Sequence, residues 1–214
     1  MRESIGIILP TRGDRPEFIE QAKKMIRYQT RQPEHVEIII AEPKSEYPDI
    51  TERYMVGFER LKNKCDLIFA WEDDDWYSPY YLQTMITLWL QAGKPELIGL
   101  NSIIYYHVIK LRWKVIELKT FGAMCNTAIR SDINIRWDQI KTNLDIHLYK
   151  NHSFKLIPCN NLTLGIKHCI GLKGGAGHDK MNLPNKDGGM KYLKSIVDPN
   201  SFIFYKGLHD KYCN

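Results

Sequence analysis

Residues 66–79 read Asp66-Leu-Ile-Phe-Ala-Trp-Glu-Asp-Asp-Asp-Trp-Tyr-Ser-Pro79. Leu67–Trp71 has the length and bulk of a buried strand, and four acidic residues, Glu72, Asp73, Asp74 and Asp75, begin where it stops. Open α/β sheets bind ligands at the carboxyl ends of their strands. Carboxylates packed side by side repel one another. A hard divalent cation with oxygen ligands, Mn²⁺ or Mg²⁺, offsets that repulsion and can hold a diphosphate as well. The competing reading is a solvated acidic turn that caps a helix opening at Ser78-Pro79. Trp71 and Trp76, on either side of the cluster, favour a cleft wall instead.

Outward from this stretch, strand and helix signals alternate at short intervals. Ile5–Leu9 is an apolar run stopped by Pro10, and 36–41 is a second buried strand. Between them Asp14 can cap, and Pro16 can open, a helix to about Gln29 with Phe18, Ala22, Met25 and Ile26 on one face. A helix from Asp49 carries Tyr54, Phe58 and Leu61, and another runs from Ser78 to Ala92 before a fourth strand at Leu97–Asn101. This rhythm predicts the α/β class, with a mostly parallel sheet flanked by helices. It changes after Asn101. Residues 102–118 alternate apolar and charged residues like an antiparallel hairpin. Further strands are expected at Ala123–Ile129, Phe154–Ile157 and Leu162–Lys167, with helices at 142–150 and Met190–Val197. The glycine-rich, polar stretch 171–189 reads as a loop that a ligand or the rest of the protein must order.

Composition narrows the class. With 214 residues, 43% hydrophobic and 26% charged, the chain is too apolar for disorder and fits one domain. Its formal net charge of +5 suits a phosphate-bearing ligand, a nucleic acid or an anionic surface. Five cysteines, at 65, 125, 159, 169 and 213, form no Cys-x-x-Cys pair, which argues against a disulfide framework and for a reducing compartment. Neither a signal peptide nor an apolar run of bilayer-spanning length is visible. The expected location is the cytoplasm of a bacterium or a virus-infected host cell, without stable membrane insertion.

Taken together, Ile5–Thr11 (IGIILPT), 37–41 (EIIIA) and Asp66–Pro79 (DLIFAWEDDDWYSP) resemble the GT-A nucleotide-sugar domain, and in particular the family-two group of inverting glycosyltransferases. The resemblance covers roughly residues 4–170. It implies one GT-A-like domain, with 1–101 as a nucleotide-sugar half, 102–170 as a small antiparallel acceptor half, and 171–214 as a glycine-rich loop and tail. The implied reaction moves a sugar from a nucleoside-diphosphate sugar, a UDP-sugar first among the choices, to an acceptor hydroxyl. Laid on the family's acidic motif, Asp74 ligates the metal between diphosphate oxygens, and Asp73 or Asp75 contacts ribose or water. Glu72 stands where the family usually has Asp.

Other positions follow from the same resemblance. Pro10, Thr11, Arg12 and Arg15 stand in the loop that lines the base, and Glu42 near the end of the second strand could meet uracil or ribose. Inverting transfer needs a carboxylate that takes the acceptor's proton. Asp145, in Thr-Asn-Leu-Asp-Ile-His, matches the family's context for that base, with Asp138 as second choice. An Asp in a helix's first turn, favoured by the dipole, is the plain structural alternative. GT-A enzymes often bring a late His to the metal, so His168 and His178 are candidates beside Asp74 and Asp75. Lys173 and Lys180 suit a flexible lid on the leaving diphosphate.

The acceptor stays open between a glycan and hydroxymethylated bases of viral DNA. The basic, aromatic segment Lys110-Leu-Arg-Trp-Lys114 could track phosphates and stack a base, or be an ordinary surface strand. Two readings compete with sugar transfer. A nucleotidyltransferase acting on a sugar phosphate would carry a glycine-rich basic signature after its first strand, which Thr11–Arg15 only faintly echoes. Against a non-catalytic nucleic-acid-binding module stand the packed carboxylates, which would repel phosphates without a metal. A zinc site from Cys159, His168, Cys169 and His178 has no usual ligand spacing.

Overall fold

Seven consecutive buried residues, Ile5–Thr11, form β1, on which the first sheet is built. The computed structural model describes residues 2–40, 49–140, 143–158, 161–170 and 181–213. From β1 the chain passes through helix α1 (Pro16–Arg27), strand β2 (His35–Ile40), helix α2 (Asp49–Leu61) and strand β3 (Leu67–Ala70). Both β2 and β3 lie parallel to β1, on opposite sides of it. A two-residue strand β4 (Trp76–Tyr77), helix α3 (Tyr81–Gln91) and β5 (Leu97–Leu100) follow, then the hairpin β6 (Ser102–His107) and β7 (Arg112–Glu117). The rest is β8 (Thr127–Arg130), α4 (Leu144–Asn151), β9 (Phe154–Ile157), β10 (Thr163–Lys167), β11 (Asn185–Lys186), α5 (Lys191–Ile196) and α6 (Pro199–Cys213).

The first sheet has the order β2-β1-β3-β8-β5-β9, with β8 alone antiparallel to its neighbours. The second has the order β11-β7-β6-β10-β4 and is antiparallel except for the β6–β10 pair. The expected α/β class, mostly parallel sheet and smaller, largely antiparallel part are all observed. Strands from both sides of residue 101 enter each sheet, so the halves interlock. Helix α2 lies so close to β1 that a Cβ on Gly57 would sit 2.4 Å from Ile8 Cγ2.

Several local expectations are corrected. Arg15, not Asp14, occupies the cap position of α1 and makes no side-chain cap bond; Pro16 supplies the preset first turn while the Arg15 side chain turns to the site. Helix α3 starts at Tyr81, because 76–77 are drawn into the second sheet by β10. A 3₁₀ turn at Met124–Asn126 replaces the start of the strand expected at 123. The tail holds a fifteen-residue helix, α6, that the pattern did not announce. Its apolar residues are scattered around the axis, yet Asp198 Oδ1 accepts the Asn200 and Ser201 amides and so caps it. None of the helices among the described residues is long and apolar enough to cross a membrane.

Candidate active site

The strand order reverses at β1, with β2 on one side and β3 on the other, and at such a switch point the loops leaving two adjacent strands part to form a crevice. The loop after β1 and the acidic cluster after β3 meet there. Thr11 Oγ1 donates to Asp73 Oδ2 at 2.7 Å and accepts the Gly13 amide at 3.2 Å. Arg15 donates through Nη2 to Asp73 Oδ1 at 2.7 Å and through Nη1 to Asp74 Oδ2 at 3.1 Å. Burial opposes the Arg15 charge, but Asp74 and Asp73 outweigh it and hold the guanidinium protonated above its ordinary range. Pro10 is buried inside β1, one residue before its end, and Arg12 is partly exposed in the loop that follows.

His168 closes the crevice from the end of β10. Its Nδ1 accepts the Ile170 amide at 2.8 Å, so the ring proton of the neutral form sits on Nε2, which reaches Asp74 Oδ2 at 3.0 Å. Burial would raise Asp74, yet the His168 hydrogen bond, followed by the charges of Lys167 and Arg15, holds it below the usual carboxylate range. With Nδ1 occupied and Nε2 on Asp74, His168 orients a carboxylate. The clustered metal-ligand oxygens, within 4.8 Å of one another, come from Glu72, Asp74 and Asp75.

Asp75 is wholly buried. Its Oδ1 accepts the Ile166 amide at 2.7 Å, while Oδ2 has no hydrogen-bond partner. Burial pushes its pKa to about 7 against the pull of Lys167. Burial, then Asp75, pushes Glu72 well above the usual range as well. Lys167 is buried but stays charged, because Asp75, Asp74 and Glu72 more than offset its desolvation. Its Nζ also lies 4.7 Å from the Tyr105 ring centroid. The mutual repulsion of four carboxylates is thus answered in part by Arg15, Lys167 and His168. Since Asp73 and Asp75 are buried, the cluster is no solvated turn.

Glu72, Asp75, Lys167, Tyr105, Cys125 and Asp145 all line one cavity of about 280 Å³. Asp145 lies in the first turn of α4, where Asn143, left-handed at φ 52°, turns the chain into the helix. Its Oδ1 accepts the Ile146 amide at 2.9 Å, and burial raises its pKa. Asp138 lies apart, about two-thirds exposed beside Arg136. Glu42, Lys173, His178 and Lys180, like Cys159, lie outside the described residues. The tryptophans are no cleft wall: Trp71 stacks on Tyr77 in the core at 3.7 Å, and buried Trp76 donates to Asp198 Oδ2 at 3.0 Å.

Three cavity residues escaped the sequence reading. Lys167 stood next to His168, but a strand-terminal lysine looks like any surface lysine until the sheet buries it. Tyr105 belongs to an alternating hairpin, and nothing local marks which face it takes. Cys125 joins the cavity lining only because the 3₁₀ turn carries it there.

No family model and no curated protein matches the chain. Among solved structures, S. aureus TarS is similar at 11% identity and a TM-score of 0.47, over 76% of this chain and 36% of that one. A 1–349 form of S. aureus TarS in complex with UDP is similar at 10% identity and a TM-score of 0.45, over 76% of this chain and 60% of that one. This chain therefore spans less than two-thirds of either. Neither TM-score reaches 0.5.

Proposed function

We propose that this chain is a glycosyltransferase that moves a sugar from a nucleoside-diphosphate sugar, UDP-linked as first choice, to an acceptor hydroxyl with inversion at the anomeric carbon. One observation carries the reading: Asp145 lines the same cavity as Glu72, Asp75 and Lys167, beside the switch point of a mostly parallel sheet. A carboxylate base and a cation-balanced acidic cluster lining one cavity are the two parts that inverting transfer needs. The nucleotide lies in the crevice beside Thr11 and Arg15, with its diphosphate toward the cluster. Asp145 takes the acceptor's proton as that oxygen attacks the anomeric carbon. The bond to the diphosphate breaks, and its electron pair leaves with the diphosphate. Raised by burial, Asp145 is a stronger base than an exposed carboxylate.

The donor set fits a Mn²⁺ or Mg²⁺ ion held by Glu72, Asp74 and Asp75: three hard oxygens gather within 4.8 Å, and buried Asp75 Oδ2 has no hydrogen-bond partner. Such an ion supplies positive charge to the diphosphate. Lys167 supplies charge from the protein, and Arg15 and His168 fix Asp74.

A thermal-shift screen of nucleoside diphosphates, each with and without Mn²⁺, tests the reading. A ligand at a hundredfold excess over Kd stabilises the fold by about 2.7 kcal/mol. A shift with one nucleoside diphosphate that grows with Mn²⁺ is expected. No shift with any of them removes the donor site, and a shift indifferent to Mn²⁺ removes the metal.

A further inference from the structure

A second cavity, of about 680 Å³, lies between α1 and the start of α6 and shares no lining residue with the transfer cavity. Its volume falls within the roughly 300–1,000 Å³ of sites that bury a small ligand. Gln21, Lys24 and Tyr28 reach it from one face of α1 and its C-terminal cap, at spacings of three and four residues, and Asn200 and Ile203 reach it from α6.

The apolar part of this lining is uncovered. Ile203 is 68% exposed and Tyr28 65% exposed, the two most exposed large hydrophobic side chains among the described residues, and both belong to this one cavity. Two other rings in the lining are engaged in the core, Tyr77 stacked on Trp71 and Phe204 edge-on to Phe18. The Tyr28 ring makes no aromatic or cation contact among the described residues, so its face is free.

The polar part is unpaired. Gln21 is only 6% exposed; its Nε2 donates to Ser201 Oγ at 3.1 Å, while its Oε1 accepts from no described residue. The side-chain amide of Asn200, the hydroxyl of Tyr28 and the ammonium of Lys24 likewise have no hydrogen bond or ion pair among the described residues. An apolar partner laid over this surface would leave such groups without water and without partners, at a cost for each. The two charged side chains of the lining, Lys24 and Asp198, cancel, and Asp198 is already held by the Trp76 indole and the Asn200 and Ser201 amides. A neutral lining gives no net pull to a phosphate or another strong anion. The complement of a free aromatic face ringed by amides, a hydroxyl and an ammonium is a neutral ring with C–H bonds on its face and hydroxyls on its edge.

Going beyond the transfer reading, we propose that this cavity is a second carbohydrate-binding site that takes a neutral saccharide. One sugar ring lies on Tyr28, and its hydroxyls donate to Gln21 Oε1 and pair with Asn200 and Lys24. Binding here needs neither a nucleotide nor a metal.

Saturation-transfer difference NMR on the whole chain, without nucleotide or metal, tests the site with glucose, galactose, N-acetylglucosamine, cellobiose and lactose as probes. At least one is expected to bind. Tyr28→Ala and Asn200→Ala, both at exposed side chains, should each weaken binding about tenfold, the scale of one lost ring contact or hydrogen bond, with unchanged melting temperature. Asp145→Asn, in the transfer cavity, should bind the sugar as the parent does. If none of the five probes binds, or both cavity variants bind as the parent does, the inference is overturned. Loss in Asp145→Asn alone places the sugar in the transfer cavity and overturns it as well. So does a Tyr28→Ala variant that changes the oligomeric state in sedimentation but keeps the sugar, since the cavity is then a protein contact. Thermal shift with UDP and Mn²⁺ on the same proteins keeps the two readings apart. Sugar binding at Tyr28 without a UDP shift leaves this site standing and removes the donor site; a UDP shift without sugar binding does the reverse.

Discussion

Arg15 and His168, 153 residues apart, both reach the same oxygen, Asp74 Oδ2, and their nitrogens approach to 2.8 Å over it. Because His168 Nδ1 is occupied by the Ile170 amide, its Nε2 proton points at the carboxylate, and the Arg15 approach is donor beside donor. Such a contact is tolerable only because Asp74 is charged between them. The Phe18 ring lies beside both, 4.8 Å from His168 and 5.0 Å from the Arg15 guanidinium.

Arg15→Met should therefore cost stability. It leaves Asp73 and Asp74 buried without the cation that hydrogen-bonds to both, and removing one partner of a buried pair costs about 3–5 kcal/mol. Urea unfolding at neutral pH measures this, with Arg15→Lys expected to recover part. A cost below about 1 kcal/mol would show that another cation already compensates the cluster.

Asp145→Asn should keep the fold and the donor affinity but slow transfer by about 10²-fold or more, the scale of losing a general base. Product formation at saturating donor, beside the thermal shift with UDP and Mn²⁺, separates the two effects. Full activity would move the base away from α4.

Asp198 links the tail to the core, capping α6 while accepting the Trp76 indole N–H. Burial would raise its pKa, but the bonds from Ser201 and Trp76 hold it below the ordinary range of an aspartate. A carboxylate depressed in the folded state contributes stability that is fully present above about 3.8 and is lost as pH falls through the folded value. Asp198→Ala should cost about 1–2 kcal/mol at pH 7, the scale of a lost cap. The gap between parent and variant should narrow only below pH 4. A gap that stays constant down to pH 2.5 would assign the effect to packing.

Gly165→Ala drives a methyl group into the Tyr105 ring and should cost about 1–3 kcal/mol as overpacking. With Tyr105 displaced, acceptor turnover should drop while the UDP-induced thermal shift is kept. An unchanged KM for acceptor would remove Tyr105 from the acceptor site.

The helices and strands of the first half were legible because each carries its own punctuation. Pro16 opens α1, the run of bulky residues in 67–71 can only be buried, and the alternation in 102–117 marks a hairpin. Helix α6 was not, since a helix whose apolar residues face several directions has no local period to read. The acidic cluster announced itself because adjacent carboxylates are costly anywhere, and Asp145 was named through its motif.

What the sequence determined by itself is the α/β class and the place of the acidic cluster at a strand end, while Asp145 was named only through the family resemblance. The first two follow from short-range patterning and from charge density along the chain. Tertiary structure alone decided which donors stand against the cluster, since Arg15, Lys167 and His168 are brought together across two sheets. It also decided that Trp71 and Trp76 are core and that Tyr105 and Lys114 share one face. A side chain's face is fixed by strand register, and register is set by partners far away in the sequence.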